Sequence, residues 1–176
     1  MPGVFLMCNA VVDTGPLIHL HEIEHLEILT AVFGKLHLPE NVKLEISNEP
    51  ILQFIHQHSD KIAIHQIGEP ELFAAKNAYS DFRLHLADLA VITLLNKILD
   101  ACAVSDDLAL RRAIESSNRT VVGTIGVLFR GFKKGVINKP QLKQFIHLIL
   151  NDSSLYLSSA FRSRILTIVE ELQQTT

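Results

Sequence analysis

The sequence predicts a single-domain α/β protein, a three-layer α/β/α sandwich around a central parallel sheet. Short apolar runs rich in β-branched residues alternate with stretches of helical periodicity along the whole chain, and that alternation is the signature of a parallel sheet covered by helices. The 176 residues suffice for one core but not comfortably for two. Two of the apolar runs end on carboxylates, Asp13 and the pair Asp106–Asp107.

The organising stretch is Asn9 to Ile18. Val11 and Val12 suit a buried strand. Thr14 is placed to cap a helix, and Pro16 falls where a first helical turn tolerates it. Asp13 therefore lies where a strand gives way to a helix. In open α/β sheets that is where ligands bind, although capping the helix would by itself account for an Asp there. Apolar spacing then predicts a helix from Leu17 to Phe33, closed by Gly34. Leu36–Leu38 reads as a strand. Pro39 opens a helix carrying Val42, Leu44, Glu45 and Ile46, stopped by Asn48 and Pro50.

A helix is expected from Ile51 to about His58, a strand at Lys61–His65, and a helix from Pro70 to Tyr79. The segment His85–Ile98 reads as the longest clean helix. It is apolar almost all round and carries Asp88 inside it. A buried Asp costs several kcal/mol, roughly, unless paired, neutralised or metal-bound. Ala101–Val104 reads as a buried strand, followed by Ser105-Asp106-Asp107 and a helix from Leu108 to about Ser116. Thr120–Val122 is a further strand. Helices follow from Ile125 to Lys134, closed by Gly135, from Lys139 to Leu150, and from a Ser158 or Ser159 cap to about Leu172. No linker, repeat or low-complexity segment interrupts this, so 1–176 is expected to be one domain, with its chemistry-bearing motifs in 9–150 and closing helices in 139–172.

Composition narrows the function classes. No run approaches a membrane span. The apolar front end, Met1 to Cys8, has no basic leader or small-residue cleavage pattern and is not expected to be a signal peptide. Cys8 and Cys102 have neither metal spacing nor a disulfide framework, as suits buried thiols in a reducing cytoplasm. With a net charge of −3 there is no global pull toward nucleic acid, so such binding would need a local basic patch. Trp is absent and Tyr scarce, which speaks against an aromatic platform for single strands.

The acids carry the chemistry. In a parallel sheet, Asp13 and Asp106–Asp107 emerge at the same edge, and Glu45 and Asp88 lie on helices that are otherwise apolar at those points. Carboxylates gathered in one cleft raise each other's pKa values, and a divalent cation removes that penalty. An all-oxygen donor set favours Mg²⁺ or Mn²⁺ over Zn²⁺. Such metals activate water and polarise phosphoryl oxygens, which is the chemistry of phosphodiester hydrolysis.

These motifs resemble the PIN-domain nucleases, in particular a prokaryotic branch close to the VapC-type toxin ribonucleases. The resemblance rests on Val11 to Ile18, Leu38 to Glu45, Leu84 to Ala90, Val104 to Arg111, and Val122 to Leu128 followed by Lys133 to Ile137. It implies a metal-dependent endoribonuclease with a central parallel sheet, often dimeric, with RNA as partner and an antitoxin-like protein that masks the site. By position it implies that Asp13, Glu45, Asp88 and Asp107 hold the metal, with Asp106 an open alternative in the double Asp. It also implies that Ser105 steadies the site. The high apolar content agrees with a homodimer. One departure stands out: where this branch often has Gly-Glu-x-Glu, this chain reads His85, Leu86, Ala87, Asp88. That motivates an alternative, a degenerate PIN-like module that binds RNA or protein without cutting. A metal-dependent phosphatase of the aspartyl-phosphate kind wants Asp-x-Asp, which Asp13-Thr14-Gly15 lacks.

Other signals have two readings each. Arg111 and Arg112 follow the double Asp by about one turn, as an i,i+4 partner of Asp107 or as phosphate contacts. His85 would reach the acidic cleft or simply partner Asp88. His21 and His25 have a ligand spacing, but a zinc site needs four ligands. Gly123 and Gly126 read as a tight turn with close helix packing rather than a dinucleotide fingerprint. Arg130, Lys133, Lys134, Lys139 and Lys143 form a loose basic region, read as a solvated face.

Overall fold

The computed structural model describes residues 8–172; the front-end segment 1–7, expected not to be a leader, lies outside them. Five short strands form one sheet: β1 (Asn9–Val12), β2 (Leu36–Pro39), β3 (Ile62–His65), β4 (Ala101–Val104) and β5 (Val121–Val122). Their order is β3-β2-β1-β4-β5, and every pairing is parallel. The chain winds outward from β1 to β3, then crosses back to place β4 on the other side of β1. The β1/β4 boundary is thus the topological switch point, where the diverging connections leave a crevice at the strand ends. Its register pairs Val12 with Val104, so Asp13 and Ser105 leave the sheet side by side.

The helices are α1 (Thr14–Glu22), α2 (Ile28–Val32), α3 (Glu40–Glu45), α4 (Glu49–Gln57), α5 (Glu69–Ala78), α6 (Leu86–Lys97), α7 (Leu108–Ser116), α8 (Thr124–Lys133), α9 (Lys139–Asp152) and α10 (Ser159–Glu171). They surround the sheet, as the alternation of strand and helix predicts. Helix α6 lies against β1, β2 and β4; its Val91, Ile92, Leu94 and Leu95 are buried with Ala10, Val11 and Ala103. Helix α8 packs on α1, α2 and α9. Gly126 lets it approach the sheet edge, since a Cβ there would come within 2.5 Å of the Val122 Cγ1. No helix among the described residues is long and apolar enough to cross a membrane.

Several local expectations need correction. The stretch Leu17–Phe33 is two helices, not one. Glu24 takes a left-handed conformation (φ 60°), and the His25 N–H closes back on the Leu20 carbonyl. Ile23, Leu26 and Ile28 stay buried through the turn, so the apolar spacing persists where the helix breaks. Asn48 and Pro50 start a helix rather than only stopping one: the Asn48 side chain accepts from the Ile51 N–H and Pro50 sits in the first turn of α4. Among the described residues the longest helix is α9, at 14 residues, against 12 for α6. Thr14 is not a cap; Asp13 caps α1 with its own carboxylate, and Thr14 is the first helical residue.

Candidate active site

Asp13 ends β1 and caps α1 through a 2.7 Å bond from the Thr14 N–H to its Oδ1. Its other oxygen, Oδ2, accepts from the Ser105 hydroxyl at 2.7 Å. Ser105 is fully buried at the end of β4, and its Oγ also accepts the Asp107 N–H at 3.1 Å. One hydroxyl therefore ties the ends of the two switch-point strands together and fixes the Asp13 carboxylate. The Thr14 hydroxyl, freed from capping, donates to Glu45 Oε2 at 2.9 Å and brings the end of α3 to the cleft. Asp88 is buried in the first turn of α6 and accepts the His85 N–H at 2.6 Å. Asp107 caps α7 by accepting the Leu110 N–H on Oδ1 at 2.7 Å.

Asp13, Thr14, Glu45, Asp88 and Asp107 line one cleft of about 390 Å³, together with His19, His85, Asp106 and Tyr156. All the acids expected to act together thus face one cavity. Burial, partly offset by the Ser105 and Thr14 hydrogen bonds and reinforced by the Asp88 and Glu45 charges, pushes Asp13 up from 3.8 to about 6. Burial likewise raises Asp88, with the Asp107 and Glu45 charges adding to it and the His85 N–H opposing it. Two buried carboxylates held above their ordinary range, Asp13 and Asp88, favour a positive charge placed between them and their neighbours.

Asp106 behaves differently. Burial acts to raise it, but hydrogen bonds from His19 and Thr124 outweigh this and hold it below the ordinary carboxylate range. His19 Nδ1 lies 2.8 Å from Oδ2, the Thr124 N–H donates to Oδ1 at 2.8 Å, and the Thr124 hydroxyl donates to Oδ2. Gly123 makes this anchoring feasible: a Cβ there would stand 2.8 Å from Asp106 Oδ1. With both oxygens committed, Asp106 joins α1, β4 and α8, whereas Asp107 keeps Oδ2 free of protein donors. Neither His19 nor the anchoring role of Gly123-Thr124 emerges from the sequence reading. The available signal was a histidine one turn beyond Gly15 on the helix that starts at the strand-end acid.

The expected substrate contacts divide. Arg111 donates from Nη1 to the Ser105 carbonyl at 3.1 Å and faces a neighbouring cavity rather than the acidic cleft. Arg112 is exposed on α7 and lines neither. The loose basic region is largely occupied internally: Arg130 lies over the Phe33 ring, Lys134 donates to the Val32 carbonyl at 2.6 Å, and Lys143 pairs with Glu170. His25 packs against the Phe145 ring in a tilted pair. Among the described residues no group of three or more His, Cys, Asp or Glu side chains is arranged to hold a metal ion as it stands. The fit to a hard cation rests on the donor chemistry, carboxylates at Asp13, Glu45, Asp88 and Asp107 in a shared cleft, and on the raised Asp13 and Asp88.

The protein is thus an α/β fold with a carboxylate-lined cleft at the switch point of a five-stranded parallel sheet. A family model described as a PIN domain matches residues 9–171, and the chain belongs to the PIN-domain family. PIN domains are generally nucleases, acting on nucleic acids. No curated protein matches the sequence.

Proposed function

We propose that this protein is a Mg²⁺- or Mn²⁺-dependent endoribonuclease that hydrolyses RNA phosphodiesters at the Asp13 cleft. The observation that carries this reading is the Asp13 carboxylate itself, buried, held by Thr14 and Ser105, and pushed up to about 6 beside further acids. Asp13, Asp88 and Asp107 would hold the cation, with Glu45 assisting. The cation, when bound, polarises a phosphoryl oxygen and lowers the pKa of a bound water. The chain's own part is placement. Ser105 and the Thr14 N–H orient Asp13, the Thr14 hydroxyl steers Glu45, and the His85 N–H fixes one oxygen of Asp88 while leaving Oδ1 to the cleft. Asp106 keeps the end of β4 in register with α1 and α8 and is not a ligand in this reading.

A toxin of a toxin–antitoxin pair is the more specific form, with RNA as substrate and an antitoxin-like protein covering the cleft. Leu44, Leu86 and Leu108 are exposed and stand next in sequence to the cleft residues Glu45, His85 and Asp107. They offer apolar surface to such a protein or to a second copy in a homodimer. Leu86 favours a second reading: 58% exposed where an acid would add charge, it suits a module that binds RNA without cutting. Incubating a labelled, structured RNA with Mn²⁺ separates the two. Cutting that EDTA stops is the expected result; intact RNA with either cation leaves the binding module.

A further inference from the structure

The acidic cleft has a neighbour along the same edge of the sheet. A second cavity, also about 390 Å³, opens beside β5 and α10 and shares Asp106 and Leu155 with the cleft. Its walls are mainly apolar, with Phe129, Ile165 and Ile168 among them, and Phe161 on α10 is 46% exposed. Among the described residues lining the two cavities, only Arg111 and Arg164 carry a permanent positive charge, and both face the apolar one. Arg111 is fixed by its bond to the Ser105 carbonyl, beside the Ser105–Asp13 contact. Arg164 is exposed on α10.

We propose that this second cavity is a nucleotide subsite. It receives the base of a nucleotide adjoining the phosphate at the acidic cleft, and Arg111 and Arg164 take that nucleotide's own phosphate. This rests on the phosphodiesterase reading above. A polyanion approaching a carboxylate-lined cleft on a chain of net charge −3 is repelled unless local cations offset the charge. Arg111 stands at the shared Asp106 wall, since a Cβ on Gly123 would meet both its Nη1 and Asp106 Oδ1, and Arg164 lines the same second cavity. Arginine suits phosphate through its planar fork of donors. A base has apolar faces that pack on aromatic and aliphatic walls without demanding a particular sequence. The shared wall makes the two cavities successive positions on one strand rather than independent sites.

The test is calorimetric titration of a 5′-phosphorylated ribodinucleotide, with EDTA present so that no metal contributes. Wild type is compared with Arg164→Glu and Phe161→Ala, both exposed positions whose thermal melts check the fold. Expected is binding by wild type that weakens with added salt and falls about tenfold or more in each variant. Equal affinity in all three proteins, no binding by wild type, or tighter binding of decanoate than of the dinucleotide would overturn the subsite. RNA cleavage under Mn²⁺ tells the two readings apart. Arg164-dependent binding without any cleavage keeps the subsite and removes the nuclease. Cleavage with unchanged KM in both variants, without dinucleotide binding, keeps the nuclease and removes the subsite.

Discussion

Asp13→Asn is expected to abolish RNA cleavage and, at the same time, to stabilise the metal-free protein. Loss of a carboxylate ligand at the proposed metal position removes charge that the cation requires, so cleavage should fall about a thousandfold or more. Stability moves the other way because the fold favours the protonated form of this acid. The Asp13 carboxyl stands at about 6 in the folded protein against an ordinary 3.8. A raised value means that its contribution is favourable below the ordinary value and is lost as pH rises through about 6. At neutral pH the wild-type protein therefore holds an ionised, buried Asp13 at a cost on the order of 3 kcal/mol. Asn has no charge to desolvate and can still accept the Thr14 N–H. In EDTA at about pH 7.5 the variant should melt several degrees above wild type, and the gap should close toward about pH 4. Equal melting temperatures at both pH values would mean that Asp13 is not held against its charge.

The adjacent acids Asp106 and Asp107 are expected to fail in different ways. Asp106→Ala strands the Thr124 N–H, the Thr124 hydroxyl and the His19 ring, which all bond to its carboxylate. Leaving such donors without an acceptor costs roughly 2–4 kcal/mol, a loss of about 5–15 °C for a chain of this size. Asp107→Ala removes a helix cap, about 1 kcal/mol, together with a proposed ligand, so it should stay folded and lose cleavage. Thermal melts and cleavage assays on the pair resolve which member of the double Asp is structural. A melt unchanged in Asp106→Ala, with active protein, would reverse the assignment.

Much of this architecture was legible because its signals are local. Val11-Val12-Asp13 and Ala101–Asp107 each mark a strand ending on an acid, and a parallel sheet brings such ends to one edge. Asp88 on an otherwise apolar helix announces its own cost. The break between α1 and α2 was not legible, because Ile23, Leu26 and Ile28 keep the helical spacing of buried residues through a turn made by Glu24. Thr14 looked like a cap because both Asp13 and Thr14 can cap, and only the geometry shows the carboxylate bonded to the Thr14 N–H. The split between Asp106 and Asp107 depends on His19, 87 residues away in sequence, and on the Thr124 N–H. Such pairings follow from topology, not from spacing. Arg111 shows the same limit: its distance from Asp107 allowed an ion pair, yet its guanidinium turns to the Ser105 carbonyl.

The central claim is that the acidic cleft holds a hard cation, and titration of Mn²⁺ into the protein by calorimetry tests it most directly. Wild type should bind Mn²⁺, with apparent affinity rising between about pH 5 and about pH 7 and protons released on binding, because the metal displaces the proton held by Asp13. Asp13→Asn and Asp88→Asn should each lose most of that heat. Binding by Asp13→Asn equal to wild type, or no binding by wild type at millimolar Mn²⁺, would contradict the account.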